Sequence, residues 1–202
     1  MVRITIRTST ALLAGFLSWA CSTPPTIVSK NATAPAPVSQ GPVTSGELRL
    51  RAPDGWVSER PSSSMRVAQY QLPPAGGDAE AASLVVYYFG AGQGGSVDAN
   101  LDRWTNQMQQ PDGAASKSRA RTDTTTVNGM KVTMLDIAGT YAGGDMGGGG
   151  GIGQSRPNFR MRAAVIETAK GAYFVKLVGP DKTVTKWDQA FLEFIKSAEF
   201  KG

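Results

Sequence analysis

Among the 202 residues of the chain there is no histidine, and Cys21 is the only cysteine. Histidine is the commonest general base near neutral pH, the commonest metal ligand and the usual partner of a catalytic serine or cysteine. One cysteine cannot form a disulfide within the chain or a thiolate metal cluster. The composition therefore argues against most hydrolytic and metal-dependent chemistry.

Apolar runs long enough to cross a membrane are also missing, and a shorter apolar segment lies near the start of the chain. Arg3 and Arg7 precede an apolar segment from Ala11 to about Trp19, and Ala20 stands directly before Cys21. This order is that of a secretory signal peptide, and the segment is shorter than the roughly 20 residues of a membrane-spanning helix. Residues 17–21, Leu-Ser-Trp-Ala-Cys, resemble a bacterial lipobox. We therefore predict a lipoprotein signal peptide over residues 1–21 with a lipid on Cys21. The alternative is an exported protein that is cleaved elsewhere.

The net charge of the chain is small. The chain has 21 Lys and Arg against 16 Asp and Glu, and loss of the two leader arginines leaves 19 against 16, a net charge of +3. No basic cluster is interleaved with aromatic residues, so nucleic acid is not an expected partner. Two pairs of arginines, Arg119 with Arg121 and Arg160 with Arg162, alternate along predicted strands. Solvated strand faces are the first interpretation of these pairs, and an anion site is the second.

Two segments follow the leader. Residues 22–46 are rich in Ser, Thr, Pro and Ala, with few large apolar side chains, so they predict a flexible tether. Apolar periodicity is continuous over residues 47–202, which predict one domain. A chain of this length can bury about 70% of the surface that its unfolded form exposes.

Alternation and helical spacing divide this domain into strands and helices. The predicted strands span residues 48–50, 66–72, 84–89, 118–127, 130–141, 159–168 and 172–179. Asn128-Gly129 suits the tight turn of a hairpin between two of them. One helix is predicted to begin after the N-cap Ser96 and to carry Leu101, Trp104 and Met108 on its apolar face, and another spans residues 183–197. Four aromatic residues are predicted to define the fold: Trp56, Trp104, Trp187 and Phe191.

Two glycine-rich stretches could carry chemistry. Residues 90–95 match G-x-G-x-x-G between a strand and a helix, but no second parallel strand is predicted after the helix, so we expect a sharp turn and no dinucleotide. Residues 143–153 contain eight glycines without the Gly-Lys-Ser/Thr ending of a phosphate loop. They are predicted to form a mobile connection, and closure over a partner is the alternative.

No catalytic constellation is recognisable among the acids and hydroxyls. Asp98 and Asp102 are spaced one helical turn apart, and residues 62–64 are three serines without a lysine or histidine at catalytic spacing. Nucleophile, base and orienting group do not occur together. We therefore predict no catalytic residue, no metal site and no cofactor.

Short motifs at both ends of the domain resemble the PsbP-like superfamily. Pro53-Asp54-Gly55-Trp56 resembles its opening turn, and the stretch that includes Ala172-Tyr173-Phe174, Trp187 and Phe191 resembles its closing strand and helix. The resemblance implies an α+β fold, an antiparallel sheet flanked by helices on both sides (α/β/α sandwich), and a role as assembly factor or binding module. Other stretches resemble a group of bacterial envelope lipoproteins, which implies no function.

The sequence thus favours a lipid-anchored protein of the bacterial cell envelope, in the periplasm or on the outer surface. Its leading predicted role is non-catalytic, a binding or scaffold module for another macromolecule, with the membrane and a protein as partners. The alternative is a module for a small molecule or metal ion that uses the glycine-rich loops. A third interpretation is an unrecognised hydrolase. An exposed apolar patch would favour the first, and a convergent acid pair in a deep pocket would favour the third.

Overall fold

The computed structural model describes residues 43–45, 47–144 and 155–202, all within one compact unit. The predicted signal peptide, with Cys21, and residues 22–42 of the predicted tether lie outside this part of the chain. The strands are β1 (Val43–Ser45), β2 (Leu48–Leu50), β3 (Val57–Glu59), β4 (Arg66–Leu72), β5 (Ala82–Tyr88), β6 (Met108–Gln109), β7 (Arg121–Val127), β8 (Met130–Tyr141), β9 (Arg156–Thr168), β10 (Gly171–Pro180) and β11 (Glu199–Phe200). The helices are α1 (Val97–Asn106), α2 (Asp181–Lys186) and α3 (Asp188–Lys196), with a short 3₁₀ helix at Ser116–Ser118. No helix in the described ranges is both long and apolar enough to cross a membrane.

The large sheet is antiparallel and follows the order β3-β4-β5-β10-β9-β8-β6, with β7 also paired to β8. A small sheet has the order β1-β2-β11. The predicted end of the tether is corrected here, because its residues 43–45 pair with β2 in register, Val43 opposite Leu50. The edge of β2 offers backbone groups to a neighbouring strand, which composition alone does not reveal.

Both faces of the large sheet are covered. Alternate residues of β10 show this, since Tyr173, Val175 and Leu177 belong to one buried cluster, whereas Phe174 and Val178 belong to the other. The α3 residues join the first cluster, and Trp104 of α1 joins the second. The predicted α+β sheet with helices on both sides is therefore confirmed.

Helix α1 begins as predicted, because the Ser96 side chain accepts a hydrogen bond from the N–H of Ala99 at 3.2 Å. The helix ends earlier than predicted. Met108 lies in β6, where it pairs with Tyr141 at the end of the long strand β8. Its side chain is nevertheless buried in the same cluster as Trp104. The helical spacing therefore predicted the burial of Met108 correctly, although the residue lies in a strand.

The predicted helix over residues 183–197 is two helices. The chain leaves helical geometry at Trp187, with φ of −96° and ψ of 7°, and α3 begins at the next residue. The Trp187 Nε1–H donates to the carbonyl of Pro73 at 2.8 Å. This bond to a distant loop holds the ring at the break. Apolar spacing could not signal the break, because the apolar stripe continues across it.

Candidate functional site

The four aromatic residues singled out from the sequence contribute mainly to the core. The Trp56 ring packs against Phe194 of α3, with ring centroids 5.1 Å apart. Phe191 of the same helix is fully buried. Trp104 packs against Phe174 on the other face at 6.4 Å. Trp187 packs against the same core cluster as Phe191, but it is only partly buried.

The glycine loop at residues 90–95 is a turn between β5 and α1. Gly90, Gly92, Gly94 and Gly95 all have positive φ. A Cβ on Gly94 would lie 2.5 Å from the ring of Phe174, so this residue lets the loop approach the core closely. The strand after α1 is antiparallel to its neighbour, and the second parallel strand of a dinucleotide-binding unit is not found in the described part of the sheet. The loop at residues 143–153 falls largely outside the described residues.

The acids do not converge. Asp98 and Asp102 are both exposed on α1, and Asp102 forms an ion pair with Lys117 at 3.1 Å. Within the described ranges, no three Asp, Glu, His or Cys residues are placed to hold a metal ion.

Arg160 and Arg162 are not on a solvated strand face, which corrects the first interpretation of this pair. Their side chains are 20% and 11% exposed, and both contact Asp136 on β8. Arg160 donates to the two carboxylate oxygens at 2.8 and 2.7 Å, and Arg162 also reaches Asp188 of α3 at 3.0 Å. Burial favours the neutral form of Asp136, but the hydrogen bond and charge of Arg160 outweigh burial and lower the pKa of the carboxyl. The cluster joins sheet and helix, so we assign it to the fold.

A pocket of about 290 Å³ between α1 and the sheet has a different character. We call it the lysine pocket; its described lining is Tyr87, Phe89, Arg103, Trp104, Gln107, Gly144, Phe174 and Lys176. Lys176 lies in β10 on the same face as Phe174 and Val178, opposite Val85 of β5 and Ala163 of β9. Its stem therefore crosses a buried apolar layer before the amine reaches the pocket.

Among the residues that the structure describes, the amine of Lys176 has only neutral partners. Nζ donates to Gln107 Oε1 at 2.6 Å and to the Tyr141 hydroxyl at 3.1 Å, and it lies 5.1 Å from the centre of the Tyr141 ring. None of the ion pairs of the described chain includes it, and none of the described lining residues is acidic. Burial, followed by the charges of Arg103 and Arg66, lowers the pKa of Lys176 to about 8.

The remaining lining combines flat rings with a second positive charge. Tyr87 and Phe89 are stacked, with an interplanar angle of 5° and centroids 6.0 Å apart. The Arg103 guanidinium donates to the side-chain oxygen of Asn100, again a neutral partner. The described lining thus offers aromatic surface and two positive charges without an acidic partner, which suits an anionic group attached to a flat apolar body.

Sequence reasoning did not identify Lys176 as a site residue. The signal was present, since residues 173–178 read Tyr-Phe-Val-Lys-Leu-Val and the lysine interrupts an otherwise apolar central strand. Arg103 lies on α1, where its spacing is that of an ordinary helix-surface residue, and Gln107 follows the last residue of that helix. The sheet register and the position of α1 bring them to the lysine.

A larger groove, of about 510 Å³, lies along the end of β8. Its charges are already balanced, because Arg119 pairs with Asp112 at 2.8 Å and Arg160 pairs with Asp136. The groove therefore has no preference for a ligand of one sign, although it is larger than the lysine pocket.

Comparisons with known proteins concern the fold. No protein-family model matches the chain, and the search of curated proteins also finds no match. Among solved structures, a protein of unknown function from Pseudomonas aeruginosa is 16% identical over 80% of this chain and 97% of that chain, with a TM-score of 0.46. LpqN from Mycobacterium tuberculosis, involved in cell envelope biogenesis, is 14% identical over 80% and 90%, with a TM-score of 0.49.

A third solved structure is the cyanobacterial PsbP (CyanoP) of Synechocystis, 9% identical over 77% of this chain and 87% of that chain, with a TM-score of 0.43. All three TM-scores lie below 0.5 and all three identities below 25%.

Proposed function

We propose that this protein is an exported, lipid-anchored binding module of the bacterial cell envelope, without catalytic activity, whose lysine pocket receives an anionic group. The proposed localisation rests on residues 17–21, which resemble a lipobox. The binding role rests on one observation: the amine of Lys176 lies in an aromatic pocket where its partners, among the described residues, are all neutral.

An anion would complete this pocket. A buried charge without an opposite partner is costly, and a carboxylate or phosphate at Nζ would supply the missing charge. Arg103 adds a second donor in the same lining. A pocket of this size lies at the lower end of the range for small-molecule sites, so the ligand is small or is one group of a larger molecule.

The pocket favours the ligand-binding alternative over the macromolecular scaffold that the sequence placed first. A broad exposed apolar patch would support the scaffold. In the described part of the chain, Val57 and Met65 are the large apolar residues that stay exposed, at 52% and 51%. They do not amount to such a patch. The chemistry of Lys176 and Arg103 also differs from the metal-binding form of the alternative, since both repel cations.

Benzoate and its uncharged analogue benzamide test this proposal. Both would be titrated into isotope-labelled protein and followed by NMR chemical shifts. We expect benzoate to shift the resonances of pocket residues and benzamide to bind more weakly. Lys176→Met should weaken benzoate binding by about 10- to 100-fold, the usual value of a charged hydrogen bond.

Lys117→Met is the matched control, because Lys117 is an exposed lysine that pairs with Asp102 outside the pocket. This variant should bind benzoate like the parent. Equal binding of benzoate and benzamide, or benzoate binding that survives Lys176→Met, would contradict the proposal.

A further inference from the structure

The amine of Lys176 is placed as a nucleophile as well as a cation. Its stem is enclosed by the apolar row of Val85 and Ala163, while the nitrogen reaches a pocket with aromatic walls. Lysines activated for covalent chemistry are typically desolvated or lie next to another cationic group. Lys176 meets the first condition because its stem lies between Val85 and Ala163 of the neighbouring strands. It meets the second because Arg103 lines the same pocket.

We propose that the lysine pocket captures a small aromatic aldehyde that carries an anionic group, by forming a reversible imine with Lys176. This inference rests on the proposed anion-binding function of the same pocket. The Tyr87 and Phe89 rings would pack against the aldehyde's ring, and the Arg103 guanidinium would bind its anionic group. The protein retains the ligand and does not convert it.

The chemistry balances without a further reactant. The lone pair of the neutral amine attacks the carbonyl carbon, and the carbonyl oxygen takes up a proton. Loss of that oxygen as water, with the remaining proton from nitrogen, leaves a C=N bond. The Tyr141 hydroxyl lies 3.1 Å from Nζ, where it can pass these protons. One water molecule is released for each ligand bound, and hydrolysis reverses the reaction.

The neutral amine is present in quantity near neutral pH. With a pKa of about 8, against 10.5 for an ordinary lysine, the uncharged fraction at pH 7.5 is about 200-fold larger than that of an exposed lysine. Nucleophilicity falls somewhat as the pKa falls. We therefore expect a rate advantage of at least about 10-fold for Lys176.

The experiment uses 4-carboxybenzaldehyde at pH 7.5, with sodium cyanoborohydride to reduce the imine to a stable secondary amine and peptide mass spectrometry to locate it. Lys176 should be modified at least 10-fold faster than Lys117 in the same sample. Its rate should rise with pH to a midpoint near 8. Modification of the two lysines at equal rates would overturn the inference.

Two measurements on the parent, benzoate binding and aldehyde modification, separate this inference from the proposed function. Lys176→Arg removes the nucleophilic amine, so this variant should lose the modification. If the parent binds benzoate and Lys176 is not modified preferentially, the proposal of imine formation is wrong and the proposal of an anion site remains. If the parent neither binds benzoate nor is modified at Lys176, both are wrong. Uncharged benzaldehyde keeps the advantage of the neutral amine but lacks the group that Arg103 would bind, so its preference for Lys176 should be smaller than that of 4-carboxybenzaldehyde. An equal preference for the two aldehydes would contradict the role of Arg103.

Discussion

At the scale of single residues, Phe191 and Trp187 share a sequence pattern but differ in their surroundings. Phe191 is fully buried beneath the guanidinium of Arg162, which lies 5.6 Å from the ring centre. Trp187 is partly exposed, donates to the Pro73 carbonyl and carries the Lys186 amine 4.8 Å from its ring centre. The first residue fills the core, whereas the second fastens the α2–α3 break to a loop.

Truncation should therefore cost more at Phe191 than at Trp187. Phe191→Ala is expected to lower the free energy of unfolding by about 3–5 kcal/mol, the range for a buried aromatic residue. Trp187→Ala should cost about 1–3 kcal/mol, because less apolar surface is lost along with one hydrogen bond. Urea unfolding measures both. A Trp187→Ala variant that unfolds as easily as Phe191→Ala would mean that this ring belongs to the core after all.

Lys176 allows a prediction about pH. Its pKa is about 8 in the folded protein and about 10.4 in an unfolded chain, so the unfolded state binds more protons between these values. The stability of the parent therefore rises with pH across this window, and the full cost of the buried charge is present below pH 8. Methionine carries no charge. Lys176→Met should thus be more stable than the parent at pH 7 by about 1–3 kcal/mol, with a smaller difference at pH 10.

Urea unfolding at pH 7 and pH 10 measures this difference, with Lys117→Met as an exposed control that should change little at either pH. If Lys176→Met is less stable than the parent at pH 7, the hydrogen bonds to Gln107 and Tyr141 outweigh the cost of burial, and our account of the pocket's electrostatics is wrong.

At the scale of elements, the β7–β8 hairpin depends on backbone that ordinary residues avoid. Asn128 has φ of 47° and Gly129 has φ of 82°, the pair expected of a tight turn. The Asn128 side chain also donates to the Ala198 carbonyl at 2.8 Å, which joins the turn to the end of the chain after α3. The turn predicted from Asn-Gly is confirmed. The bond to Ala198 adds a long-range contact that no local pattern signals.

Gly129→Ala should destabilise the protein by about 1–2 kcal/mol, because an L-residue is strained at this φ. A Cβ there would meet nothing within 4 Å, so the cost comes from the backbone alone. Gly76→Ala is the matched control, since this glycine also has open space and lacks a positive φ. Thermal unfolding should separate the two variants. Equal melting temperatures would contradict the conformational argument.

Local sequence patterns predicted some secondary-structure elements and not others. Apolar alternation located β4, β8 and β10 to within two residues, because each strand keeps one or both faces in the core. The β1 strand and the break at Trp187 were missed. Both depend on a distant partner, the edge of β2 and the Pro73 carbonyl, and such partners leave no periodic signal in their own segment.

At the scale of the whole molecule, the leading prediction concerns the anchor. If Cys21 carries a lipid, Cys21→Ala should move the protein from the membrane fraction to the soluble fraction after cell lysis. The domain of residues 47–202 should keep its fold, and unchanged circular dichroism is the control. Equal retention of the variant and the parent in the membrane fraction would contradict lipid anchoring.

The sequence by itself determined the class of the fold and the residue types that are available for chemistry. Both depend on properties that each segment carries alone: residue type for the missing histidine, and periodicity for the strands and for α1. Tertiary structure decided the site. Lys176 is distant along the chain from Arg103 and Gln107. The three residues meet because the β10 register and the position of α1 bring them together. An unpaired charge is a property of its surroundings, and only the folded chain supplies those surroundings.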